Sequence, residues 1–318
     1  MGMYRPDLGT EIPLPAATRD AVAAALRGKR RDIGGWVFEM ALLLTLLVSL
    51  GVLVTLLVQI TSTGWDVFTT RKVGFLTSNL SSIASRAGVW QGLVGSLMLM
   101  VFVIVLAFPL GIGAAVYLEE YAPDNVATRI LTANIRNLAG VPSIVYGLLG
   151  LAIFVLALRP LTGGLTVISG GLTLAILVLP IVIITSMEAL RAVPGSIREA
   201  GYSVGATKWE VVRSHVLPYA SPGIFTGTVL SMARALGETA PLILVGAITG
   251  TFFVAAGSPI ERLQGPYTTL PTVIFNWSRQ PGQEFEHMAA AASVLLMALI
   301  LLVNATAILL RNRYERKW

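Results

Sequence analysis

Arg234 and Glu238 are the residues of this chain best placed to do chemistry, because they stand four apart inside a largely apolar run, 222–249. On one helix that spacing puts both on the same face. A charge at mid-membrane depth costs of order 2.5 to 3.5 kcal/mol on insertion scales, so it belongs in a protein interior or a wet cavity. A guanidinium is always ionised and offers a planar fork of donors to a tetrahedral oxyanion; a neighbouring carboxylate accepts from an oxyanion that still carries a proton. The pair therefore reads as part of a pathway for an anionic substrate. The plainer alternative is a self-neutralising contact that holds helices together. No other constellation competes with it. The 318 residues include no cysteine, which excludes disulfides, thiolate metal sites and thiol catalysis. The two histidines, His215 and His287, read as a structural residue and an interfacial one, so no metal site is expected. No glycine-rich phosphate cradle ending in Lys-Ser or Lys-Thr occurs. No catalytic residue and no bound cofactor are expected here, and any use of ATP and Mg falls to another chain.

The elements that must position this pair are membrane helices. Hydrophobic residues make up 55% of the chain and charged ones 13%, against about a quarter charged in soluble domains; mean hydropathy is +0.76. The net charge of +6 would also suit a nucleic-acid binder, but the 23 Lys and Arg are spread thinly between apolar runs, so nucleic acid is not an expected partner. Six runs come near or reach the roughly 20 residues a helix needs to cross about 30 Å of hydrocarbon: 36–60, 90–118, 138–158, 165–187, 222–249 and 287–310. They are continuously apolar rather than alternating, which rejects a β-barrel. Only Arg159-Pro160-Leu161-Thr162-Gly163-Gly164 separates the third from the fourth, so those two form an antiparallel hairpin. Pro109 and Pro180 suit helix kinks, and pairs such as Gly147 and Gly150 suit close helix packing. The expected fold is all-α and polytopic, with a tail 1–35, a six-span domain 36–310 and a tail 311–318.

Charge sets the orientation. Sixteen Lys and Arg fall in the two tails and in the second and fourth loops, against six in the other three loops, which places both termini in the cytoplasm. The first apolar run is too long for a cleaved signal and reads as a retained span. The tail ahead of it, with its basic stretch 27–31, reads as lying near anionic membrane lipid.

The loop 188–221 carries the most information. Pro194 and Gly195 end the helix that leaves the fourth span, Ser196 and Glu199 suit a capping box for a short helix, and Ile197, Ala200 and Val204 give it an apolar face. Gly205 then interrupts, and Thr207 suits the N-cap of a second short helix, from Lys208 to His215, ending near Pro218. Two short helices joined at a glycine make a projection on which a soluble partner can dock.

Glu199-Ala200-Gly201, three residues, Gly205, nine residues, His215, then Leu217-Pro218 resembles the EAA loop of bacterial ABC-importer permeases. Gly201 stands where that pattern usually has alanine and His215 where it usually has isoleucine. The segments 109–121, 140–147, 234–242 and 268–277 resemble the phosphate branch of the same family. The resemblance implies a type I ABC-importer permease fold in the bacterial inner membrane. It further implies a homologous sister permease as heterodimeric partner, two ATP-binding subunits docked on Glu199, Ala200, Gly201, Gly205, Leu217 and Pro218, and an external phosphate-binding protein. Inorganic phosphate is the substrate it implies. Two alternatives stay open: a permease for another oxyanion such as sulfate or molybdate, and a secondary transporter that works without an ATPase.

Overall fold

The computed structural model describes residues 33–247 and 263–314. The expected tail 1–35 lies almost wholly outside them, as do 248–262 and the end of the C-terminal tail. The chain divides into two units, Met1–Val58 and Gln59–Trp318. In the first, the described residues form one apolar helix, α1 (Ile33–Arg71), which continues into the second unit, and their large apolar side chains are exposed.

The second unit is helical, and among the described residues the only bridge of strand type is an isolated one between Ala247 and Tyr267. Its long helices are α2 (Trp90–Tyr121), α5 (Val167–Arg191), α8 (Leu217–Gly237) and α11 (Gln283–Tyr314). Between α2 and α5 lie α3 (Val126–Ala139) and α4 (Ser143–Ala157), bent by 100° to one another. Between α5 and α8 lie α6 (Gly195–Ser203) and α7 (Lys208–Val211), and after α8 come α9 (Ala240–Leu244) and α10 (Leu270–Trp277). α5 is the hub: α2, α3, α4 and α8 all pack on it, and it is buried along most of its length. The hairpin expected between the third and fourth runs is present. Gly163 and Gly164 take positive φ at its turn, and Thr166 caps α5 by accepting from the Ser169 amide. A Cβ at Gly150 would strike Thr173, so α4 lies closer to α5 than alanine would allow.

Four helices, α1, α2, α5 and α11, are long and apolar enough to cross a membrane, and α3 with α4 makes a fifth if the bent pair is one span. The run 222–249 does not form one continuous span. α8 ends at Gly237, Glu238 is extended at φ −72° and ψ 128°, and a new helix starts at Ala240. Thr226, Thr228, Ser231 and Arg234 dilute the apolar character of that run, and α8 packs against both α5 and α11.

Prolines leave a regular signature. π-helical turns at Val103–Ala107, Tyr117–Tyr121, Leu151–Ala157 and Val212–Val216 each end two or three residues before a proline, namely Pro109, Pro123, Pro160 and Pro218. At Pro109 and Pro218, where helix continues on both sides, the proline lacks the N–H of the regular ladder and crowds the carbonyl four residues back, and a widened turn just before it relieves both, whereas Pro123 and Pro160 follow helix ends. Pro180 sits inside α5 without such a turn.

Candidate functional site

The loop 188–221 folds as two short helices, with one change at each end. α6 starts at Gly195, so Ser196 lies inside it instead of flanking it, and the expected capping box with Glu199 does not form. Glu199 and Ala200 are exposed, and Glu199 has no ion-pair or hydrogen-bond partner among the described residues. The inward face is Ile197 with Gly201, four apart, and not Ala200 and Val204; Val204 lies beyond the last helical residue and is 83% exposed. A Cβ at Gly201 would stand 2.7 Å from Val211 Cγ2, so alanine here would require Val211 to move. Gly205 has φ +82° with nothing within 4 Å of an added Cβ, so its requirement lies in the backbone alone.

Thr207 caps α7 as expected, and Glu210 completes a capping box. The Thr207 amide and hydroxyl donate to Glu210 Oε2 at 2.7 and 2.8 Å, and the Glu210 amide donates to the Thr207 hydroxyl at 3.4 Å. These donors hold the Glu210 carboxyl below its ordinary value. The second short helix does not stop near Pro218. It passes through the π-helical turn at Val212–Val216, with His215 exposed, into α8, whose first turn holds Leu217 and Pro218.

Two ion pairs mount this loop on the end of α2. Arg198 of α6 reaches buried Glu120 at 2.7 Å and spends its other donors on the Leu190 and Val193 carbonyls at 3.0 and 2.8 Å, where α5 ends. Arg191 meets Glu119 through Nε at 2.8 Å and Nη2 at 2.7 Å. Lys208 lies over the Tyr121 ring at 5.2 Å. Beneath them Ile197, Val211, Val216 and Ala220 pack against Ala115, Ile183, Met187 and Leu190. Tyr202, Val204 and Trp209 remain exposed on the far side.

Arg234 and Glu238 are brought together: Nε lies 3.4 Å from Oε1. The contact stays within one turn of chain, between the end of α8 and the extended residue that follows it, and bridges no two packed helices. Arg234 is 45% exposed by side chain and Glu238 only 15%. At 17 residues past Leu217, Arg234 stands about 26 Å along α8. Broken helix at membrane depth persists only where it is buried in protein or lines a wet cavity. The far side of the break is fixed by α9, since a Cβ at Gly147 of α4 would stand 2.6 Å from the Pro241 Cα.

Residues 107–317, which include both the loop and the Arg234–Glu238 pair, match the family described as binding-protein-dependent transport system inner membrane component. The chain belongs to this family. Phosphate transport system permease protein PstA 1 of Mycobacterium tuberculosis is 33% identical over 288 residues, 89% of this chain and 90% of that one. Probable ABC transporter permease protein YqgI of Bacillus subtilis is 32% identical over 73% of this chain and 81% of its own length. A chain of the bacterial alginate ABC transporter, solved in complex with its alginate-bound periplasmic protein, shares the fold at a TM-score of 0.61, 16% identity, 90% of this chain and 98% of its own.

With membership of this transport family established, the fold class read from the sequence stands: an all-α, multi-pass membrane protein of the ABC-importer permease fold. Sequence reasoning missed the Glu119 and Glu120 mounts. A signal was present, because two adjacent carboxylates close an apolar run while Arg191 and Arg198 sit in the loop without assigned partners. The separations of 72 and 78 residues put those pairs beyond any local spacing rule.

Proposed function

We propose that this chain is the permease subunit of an ATP-driven importer of inorganic phosphate in the bacterial cytoplasmic membrane, with both termini in the cytoplasm. It forms the translocation pathway with a homologous sister permease and receives phosphate from an external binding protein. Two ATP-binding subunits, which bind ATP and Mg, dock on its loop 188–221. The observation that carries the reading is that loop: a rigid, ion-paired mount presents Glu199, Tyr202, Val204 and Trp209 outward, and a secondary transporter has no use for such a surface. The name of the Mycobacterium tuberculosis relative, similar along most of both chains, supports phosphate as cargo. On this reading Arg234 stabilises the charge of the anion, and Glu238 accepts a hydrogen bond from a protonated phosphate oxygen, a donor that sulfate lacks.

Purifying the full chain with its co-expressed neighbours tests the assembly. Mass spectrometry is expected to find a second permease and an ATPase in the same complex. A chain that purifies alone and moves phosphate without ATP would overturn the proposal.

A further inference from the structure

At the end of the second unit that carries loop 188–221, a cavity of about 570 Å³ opens between α3, the end of α2 and the last turn of α5. Three guanidiniums line it: Arg129, Arg136 and Arg191. Two are neutralised, Arg191 by Glu119 and Arg129 by Asp124 at 3.0 and 3.2 Å. Arg136 has no ion-pair or hydrogen-bond partner among the described residues, so it is the unpaired charge of the lining, while Glu188, which also acts on Arg191, stands outside that lining. The Thr132 hydroxyl stands one turn before it on the same helix face.

α3 is built for a membrane surface. Asn125 caps it by accepting from the Thr128 amide at 2.9 Å, and it meets α4 at 100°, across the direction of that helix. Thr128, Thr132 and Ile135 turn toward the protein, while Val126, Ile130, Leu131 and Leu138 are exposed on the remaining arc, together with Asn134 and Asn137. Cationic side chains bordering an exposed apolar arc are the mark of a helix lying in the interface.

We propose that this cavity holds the phosphate of an anionic phospholipid, with Arg136 as its charge contact and Thr132 as a hydrogen-bond donor, and the acyl chains along the exposed arc of α3. The single negative charge of the phosphodiester matches the single unpaired guanidinium. Inorganic phosphate shares the headgroup chemistry but would leave the apolar arc uncovered. One wall of the cavity is the Glu119–Arg191 pair, whose carboxylate precedes Glu120 of the pair with Arg198 that mounts α6. Lipid there steadies the base of the loop. The inference rests on the membrane fold and not on the identity of the cargo.

Native mass spectrometry of the full chain, co-purified with its neighbours and offered phosphatidylglycerol or phosphatidylcholine, tests it. Bound phosphatidylglycerol should exceed phosphatidylcholine at least fivefold in the unaltered protein. Arg136→Gln should remove most of that preference and Arg136→Lys should keep most of it, at equal complex yield. Millimolar inorganic phosphate should leave the lipid in place. Equal retention of the two lipids by the unaltered chain overturns the proposal even if Arg136→Gln fails to assemble, and displacement by inorganic phosphate assigns the cavity to a free anion instead.

Discussion

Arg234 and Glu238 touch within one turn of a broken helix, and a pathway role and a stapling one forecast different results when they are replaced. A staple joins two elements, whereas here both partners belong to one, and Arg234 faces outward from the single chain. Arg234→Gln should therefore stop phosphate uptake, at least tenfold, while the complex still assembles; Arg234→Lys keeps the charge without the planar fork and should fall between. Glu238→Gln should impair uptake less. Were the pair only structural, each single change would lower complex yield and the double Gln variant would restore it with normal transport; yield and uptake measured on the same preparations decide. Glu210 supports a second expectation. Its depressed value means that it contributes stability above the ordinary glutamate value of 4.5, and that the contribution disappears as pH falls through the folded value. The extra hydrogen-exchange protection of Lys208–Val211 over the Glu210→Gln variant should be present at pH 7 and absent in strong acid. A difference that instead grew on acidification would reverse the sign and remove the capping box as its source.

At the scale of elements, the loop is held by ion pairs and by an apolar core, and both reach across to the distant end of α2. Glu120 is 5% exposed and Arg198 24%, so Arg198→Met strands a buried carboxylate and should cost about 3 kcal/mol. Adding Glu120→Gln should return most of that loss, as read by denaturation in detergent. A double variant no more stable than the single would show that the packing of the Arg198 stem, and not its charge, holds α6. What the sequence made legible here followed from local chemistry. The Thr207 cap, the left-handed Gly205 and the hairpin at Gly163 depend on neighbours within four residues. The misreadings lie where the backbone departs from the regular helix that periodicity describes. Val204 fits the apolar period of α6 but lies past its end. The run 222–249 reads as one uninterrupted apolar segment because hydropathy cannot see that Glu238 leaves the helix. Pro218, which marks a helix end by its ring, is absorbed by the π-helical turn before it.

At the scale of the whole molecule, the charge bias predicts an orientation that can be measured directly, because the chain has no cysteine of its own. A membrane-impermeant thiol reagent applied to intact cells should label a cysteine placed at Gln264 and spare one placed at Lys208; the opposite pattern would invert the topology. Orientation and coupling meet in the loop, where a single residue isolates the backbone requirement. Gly205→Asn tolerates positive φ and should retain much of the activity, whereas Gly205→Val cannot adopt φ +82° without strain. The most direct measurement is phosphate accumulation by the complex reconstituted in liposomes with its binding protein. The expected result is uptake that requires ATP and that Gly205→Val abolishes while the assembled complex keeps all its subunits. Phosphate uptake that proceeds without ATP, or at the unaltered rate in the assembled Gly205→Val complex, would contradict a permease coupled to an ATPase through this loop.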